Sequence, residues 1–150
     1  MFAVLSDIHA NLEALQAVLA DMRAHGVDEA VSLGDIVGFN GNPSECLELV
    51  RPHLAAAVRG NHEAAMFKPA VFGVPMYISM IDTTRGMLSE EQAEWLHALP
   101  LTAVHRGCRI WHATPYAPRI WGRISGTQDA AAALNAEINQ GCRTISRKFG

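Results

Sequence analysis

The sequence predicts an α/β fold built on a largely parallel sheet. Two observations predict it. Short apolar runs that break off at polar residues alternate with longer segments whose apolar residues recur at helical spacing. This strand-then-helix alternation repeats from the N-terminus, and a hairpin signal appears only near residue 101. A third observation sets the scale: 150 residues and 16.3 kDa fit a single domain, which buries roughly 70% of the surface its unfolded chain exposes.

Phe2 to Leu5 is an apolar run that stops at Ser6-Asp7, the pattern of a short strand. Leu12, Leu15, Leu19 and Met22 then share one helix face, with Asn11 placed to cap it and His25-Gly26 placed to end it. Ala30 to Leu33 reads as a second strand that stops at Gly34-Asp35. Asn42 is expected to cap the next helix, with Pro43 at its first position, Glu45 set for a capping box and Arg51-Pro52 at its end. Ala55 to Val58 is ambiguous by composition, because alanine favours helix. Its brevity and its setting before Gly60-Asn61-His62 assign it to a strand. Ser89 opens another helix, with Gln92 at the capping-box position and Pro100 closing the segment. Leu101 to His105 and Cys108 to His112 flank Arg106-Gly107, a two-residue turn that predicts a hairpin. A last helix runs from Thr127 to about Gln140, with Gly141 as its stop.

Composition narrows the class of function. Hydrophobic residues make up 49% and charged residues 18%, the balance of a globular chain, and no apolar run approaches the ~20 residues of a membrane helix. Asp7 and His9 interrupt the apolar start, so no signal peptide is expected and the cytoplasm is the expected compartment. Cys46, Cys108 and Cys142 are odd in number and widely spaced, which argues for reduced thiols. Cys46 and Cys108 fall on apolar faces as small core residues. A net charge of −3 and a pI near 6.1 offer no general attraction to nucleic acid, so a small partner is expected and no membrane.

In open α/β sheets, ligands gather beyond the carboxyl ends of the strands. By that rule Asp7 and His9 follow the first strand, Asp35 the second, Asn61 and His62 the third, and His112 the last. Two carboxylates, an amide oxygen and imidazoles, with no thiolate nearby in sequence, suit divalent Mn, Fe, Zn, Co or Ni. Gly34 and Gly60 directly precede ligands, where a residue without Cβ lets the backbone turn tightly beneath an ion. Asn11 is a candidate substrate contact as well as a helix cap. Arg119 and Arg123, after His112, carry guanidinium groups suited to phosphate, although surface arginines are commoner than ligands. His25 sits where a helix end favours a cation. His53, His97 and His105 are given no role.

Taken in order, Asp7-Ile8-His9-Ala10-Asn11, Gly34-Asp35-Ile36-Val37-Gly38, Gly60-Asn61-His62-Glu63 and His112-Ala113-Thr114-Pro115 resemble the signature of the calcineurin-like metallophosphoesterases. Asn42-Pro43-Ser44-Glu45-Cys46, and Thr84-Arg85 leading through Leu88-Ser89-Glu90 to Trp95-Leu96, are similar to the bacterial YfcE-like, diadenosine-tetraphosphatase-related branch. The resemblance runs from Met1 to about Trp121. It implies a metal-dependent phosphoesterase that hydrolyses phosphomonoesters or phosphodiesters through a metal-bridged hydroxide, with a small phosphoester, a nucleotide among the options, as substrate. Asp7 and His9 would hold the first of two divalent ions, Asp35 would bridge both, and Asn61 and His112 would hold the second. His62 would be the catalytic acid, oriented by Glu63. Ions ~3.5–4 Å apart neutralise phosphate oxygens and orient an in-line displacement. A carboxylate, with two oxygens, suits the bridge. A histidine that protonates or stabilises the departing alkoxide is worth typically ~10²–10⁴ in rate.

One departure from the family pattern matters. The Gly-His-x-His motif, which gives one imidazole to each metal, is not found. From Gly141 to Gly150 the chain carries Arg143, Arg147 and Lys148 without a carboxylate or histidine, and these ten residues read as an atypical basic tail. The resemblance therefore implies an N-terminal portion of the family's sandwich: a first sheet with flanking helices, a second sheet largely missing, and a centre that could hold one ion rather than two. The alternative function is a catalytically impaired metal-binding or regulatory module. An uncovered sheet face would favour a homo-oligomer.

Overall fold

Three short strands, β1 (Ala3–Leu5), β2 (Ala30–Ser32) and β3 (Leu54–Ala57), pair in parallel in the order β1-β2-β3. The computed structural model that shows this describes residues 1–68, 75–115, 121–138 and 143–146. Parallel strands need long crossovers, and helices supply them: α1 (Leu12–Ala24) between β1 and β2, and α2 (Pro43–Val50) with a 3-10 turn at Arg51–His53 between β2 and β3. Leu15, Leu19 and Met22 of α1 are buried, as their spacing predicts. The Ala14 N–H donates to Asn11 Oδ1 at 3.1 Å, and Gly26, at φ 65°, follows the C-cap His25. Asn42 corrects an expectation: it stands at the N-cap of α2 but makes no side-chain cap hydrogen bond. Pro43 at the first position has no N–H, so the end holds one donor fewer to satisfy.

Two helices after β3 were not foreseen, α3 (Asn61–Phe67) and α4 (Pro75–Gly86). α5 (Glu90–Ala98) carries the expected capping box: Gln92 N–H donates to Ser89 Oγ at 3.1 Å and Ser89 N–H to Gln92 Oε1 at 3.0 Å. The Gln92 amide also donates to Ser44 Oγ at 2.9 Å, which ties α5 to α2.

The expected hairpin is present as antiparallel β4 (Thr102–His105) and β5 (Cys108–Trp111). Arg106 and Gly107 both have positive φ, 48° and 76°, as a type I′ turn requires. After α6 (Thr127–Ile138), residues read as part of a basic tail form β6 (Arg143–Ser146), parallel to β5, so the second sheet has the order β4-β5-β6. The expected helix stop at Gly141 lies outside the described residues.

Side-chain alternation in the first sheet builds two cores. Ala30 joins one, with Leu15, Leu19, Met22, Leu47, Val50, Met66 and Leu96 from the helices. Val31 joins the other, with Leu33, Val58 and Ile110 of β5, and Ala103 of β4 packs against it. The first sheet is thus covered by helices on one face and by the second sheet on the other, an α/β sandwich. Cys46 is buried and Cys108 half-buried, both as free thiols. Among the described residues no helix is long and apolar enough to cross a membrane.

Candidate metal centre

The loops that leave β1 and β2 at their carboxyl ends are laced together by backbone hydrogen bonds. Asp7 N–H donates to Gly34 O at 3.1 Å, His9 N–H to Asp35 O at 2.9 Å and Ala10 N–H to Ile36 O at 2.8 Å. The loop after β3 closes in from the other side. A Cβ on Gly34 would stand 2.5 Å from Gly60 N, and one on Gly60 would overlap Asp35 Oδ1. These glycines are required because two backbones approach more closely than any side chain allows, and Gly34, at φ 95°, also makes the tight turn that sequence suggests. Asp7, His9, Ala10, Asp35 and Phe39 have φ between 49° and 66°. Non-glycine residues in that region cost of order 1–3 kcal/mol each and gather where surrounding structure holds them for a purpose.

Much of the holding falls to Glu63, which is fully buried at the start of α3. Its Oε2 accepts from Asp35 N–H at 2.9 Å and Gly60 N–H at 2.8 Å; its Oε1 accepts from Ile36 N–H at 2.8 Å and Val37 N–H at 3.3 Å. The resemblance has Glu63 orienting His62; the structure shows the carboxylate gripping the loop that presents Asp35 and pinning it to Gly60.

The side chains so presented converge. Asp35 Oδ1 accepts the His62 backbone N–H at 2.9 Å, while Oδ2 lies 3.8 Å from His9 Nε2 and 3.3 Å from His112 Nε2. A single oxygen therefore faces both histidines. His9 Nε2 is 3.5 Å from Asp7 Oδ1, and His112 Nε2 is 3.0 Å from Asn61 Oδ1. Asp7, Asp35 and His112 form one group whose ligand atoms all lie within 4.8 Å of one another, and His9, Asp35 and His62 form a second. Asp35 is common to both. The two groups outline a site for clustered divalent ions, and His62 stands close enough to share it.

Tautomers sharpen the picture. His112 Nδ1 is 2.7 Å from Leu33 O and His9 Nδ1 is 3.3 Å from Val37 O. A carbonyl only accepts, so each Nδ1 carries the hydrogen and each Nε2 turns inward. There it meets carboxylate and amide oxygens, a convergence of acceptors that suits a cation. Proton affinities agree. Burial pulls the His112 pKa down, but the hydrogen bond and charge of Asp35 outweigh it and the net shift is upward. His9 behaves alike, burial being overcome by Asp7 and Asp35. Burial raises Asp35, yet His112 and His62 bring it below the usual carboxylate range. Burial pushes His62 down to about 4.

Of the other sequence candidates, Asn11 caps α1 through its side chain, and Arg119 lies outside the described residues. Sequence reasoning passed over two aromatic neighbours. The Phe39 ring is 4.8 Å from His9 and 4.5 Å from His62, and Trp121 is 6.0 Å from His112. Phe39 directly follows the motif that ends at Gly38, which was the available signal for the first.

Comparison with known proteins gives this geometry a lineage. An uncharacterized protein of Methanocaldococcus jannaschii is 39% identical over 127 residues, covering 81% of this chain and 52% of that protein. The crystal structure of a metallophosphoesterase from Sphaerobacter thermophilus superposes with a TM-score of 0.75 at 35% identity, covering 90% of this chain and 55% of that one. The chain thus spans about half the length of these relatives. The calcineurin-like phosphoesterase profile matches residues 1–128, a stretch that takes in all four strand-end loops, and the chain belongs to that family.

Proposed function

We propose that the chain is a metal-dependent phosphoesterase acting on small phosphomonoesters or phosphodiesters in the cytoplasm. The observation that carries this reading is the set of acceptors turned on one point: Asp35 Oδ2 and Asn61 Oδ1 around His112 Nε2, with Asp35 Oδ2 and Asp7 Oδ1 around His9 Nε2. Asp7, His9 and Asp35 would hold one divalent ion, and Asp35, Asn61 and His112 another. When bound, such ions polarise phosphate oxygens and lower the pKa of water. The choice of Mn, Fe, Zn, Co or Ni rests on the mixed nitrogen and oxygen donors.

His62 flanks this set, its backbone fixed to Asp35 Oδ1. With its pKa pushed to about 4 by burial, the ring is neutral near pH 7. It then offers a departing oxygen an imidazole N–H hydrogen bond, and stabilises developing charge, rather than delivering the proton of an imidazolium.

The test is metal content per chain after Mn²⁺ loading, measured beside turnover of p-nitrophenyl phosphate and bis(p-nitrophenyl) phosphate. Turnover that falls by at least about 100-fold in both Asp35→Asn and His112→Ala is expected, since loss of even an outer partner of a metal ligand costs ~10–100-fold. Turnover indifferent to both substitutions would sink the proposal. Bound metal without any turnover would leave a metal-binding module.

A further inference from the structure

We propose that Phe39 selects the organic group of the substrate, and that it favours phosphoesters carrying a planar aromatic group, a nucleobase or an aryl ring. The inference rests on the phosphoesterase reading above.

Phe39 is unusual in two independent ways. It is 54% exposed, among the more exposed large hydrophobic residues described, and its backbone sits at φ 66°, where a phenylalanine is strained. Neither feature serves packing, because a residue kept for the core would be buried. The strained position is nevertheless enforced. Asn40 N–H donates to Gly38 O at 2.9 Å and to His9 O at 3.2 Å, and the Asn40 amide donates again to His9 O at 2.8 Å. The segment is thereby tied to the same loop that carries His9.

The result is an aromatic ring at the edge of the metal centre. Phe39 meets the His9 ring at 4.8 Å and 68°, and the His62 ring at 4.5 Å and 56°. Tyr77 of α4 stands 6.2 Å away at 73°. Because the same His9 ring that Phe39 touches faces Asp35 Oδ2 at 3.8 Å, a phosphate held there would bring its ester group toward these rings. An aromatic face gains specific stacking with a planar group, beyond the area any alkyl chain would bury. Exposure leaves the ring accessible, and the Asn40 hydrogen bonds hold the backbone that carries it.

The experiment compares adenosine monophosphate, phenyl phosphate and ribose 5-phosphate as substrates of the Mn²⁺-loaded chain. The wild type is expected to prefer the two aromatic esters over ribose 5-phosphate, chiefly through KM. Phe39→Leu, which keeps an apolar side chain beside the histidines, should lower that preference ratio about tenfold, and Phe39→Tyr should retain it. Equal losses on all three substrates would mean that Phe39 only supports the histidines, and would overturn the proposal. If the wild type hydrolyses none of these monoesters, the phosphomonoesterase part of the reading fails separately, and stacking is read by calorimetry. Adenosine monophosphate should then bind about tenfold tighter than ribose 5-phosphate, with the difference lost in Phe39→Leu. Equal or absent binding of the two by the wild type overturns the proposal without need of any variant.

Discussion

Both oxygens of Glu63 point at backbone N–H groups, two each, and three of the four donors belong to the loop that presents Asp35. Loop shape and ligand placement therefore depend on one buried side chain. Glu63→Gln replaces one of those oxygens with an amide donor, which faces N–H groups that need an acceptor. Buried donors left unsatisfied cost about 1–3 kcal/mol, and a shifted Asp35 should weaken metal binding by about tenfold or more. Urea unfolding and Mn²⁺ titration calorimetry check the two effects; a variant with wild-type values in both would show that the clamp is dispensable. This residue also marks where sequence legibility stops. Asp7, His9, Asp35, Asn61 and His112 could be picked out because each is a polar type at the end of an apolar run. The partners of Glu63 are backbone amides, which every residue but proline carries, so nothing in the sequence distinguishes them. Phe39 was legible only as the neighbour of a ligand motif; its exposure and backbone angle, which single it out, come from the fold.

At the level of elements, local rules were legible where the signal was local and failed where packing decided. Ser89 and Asn42 make a controlled comparison, because both stand at N-caps with an acceptor side chain and an acidic or amide residue three positions on. Only Ser89 makes its reciprocal bonds. Ser89→Ala is expected to cost about 1 kcal/mol, whereas Asn42→Ala should stay within about 0.5 kcal/mol. Shifts in the urea midpoint at constant slope measure both, and equal losses would mean that Asn42 caps α2 in solution. The hairpin of β4 and β5 was legible because Arg106-Gly107 names its own turn. α3 was not, since it begins inside the ligand motif, at Asn61, where no apolar stripe announces a helix. α4 shows only Ile81 and Thr84 buried, too few for a periodic face. β6 is a strand by virtue of lying along β5, a tertiary fact that its basic composition conceals.

In the molecule as a whole, three parallel strands aim their carboxyl ends at one region, and the second sheet adds His112 from the end of β5. Candidate ligands as far apart in the chain as Asp7 and His112 meet only when the sandwich is assembled. A divalent ion that binds this arrangement has no equivalent site in the unfolded chain, so binding and folding must be linked. Folding without the ion leaves Asp7 and Asp35 among His9 and His112 with only protons to balance their charge, as the upward shifts of both histidines indicate. Metal should relieve that, and its effect can be sized. At a free Mn²⁺ concentration 100 times the dissociation constant, one site stabilises the fold by about 2.7 kcal/mol. For a chain of this size that corresponds to a rise in Tm of roughly 5–10 °C. A chelator should reverse it. Asp35→Asn, which removes charge from the one residue common to both ligand groups, should suppress most of the rise while leaving the metal-free Tm measurable for comparison. Scanning calorimetry with and without Mn²⁺ reads the outcome directly: a Tm indifferent to Mn²⁺ in the unsubstituted chain would mean that the converging oxygens and imidazoles hold no ion, whereas a rise that survives Asp35→Asn would move the ion to another site.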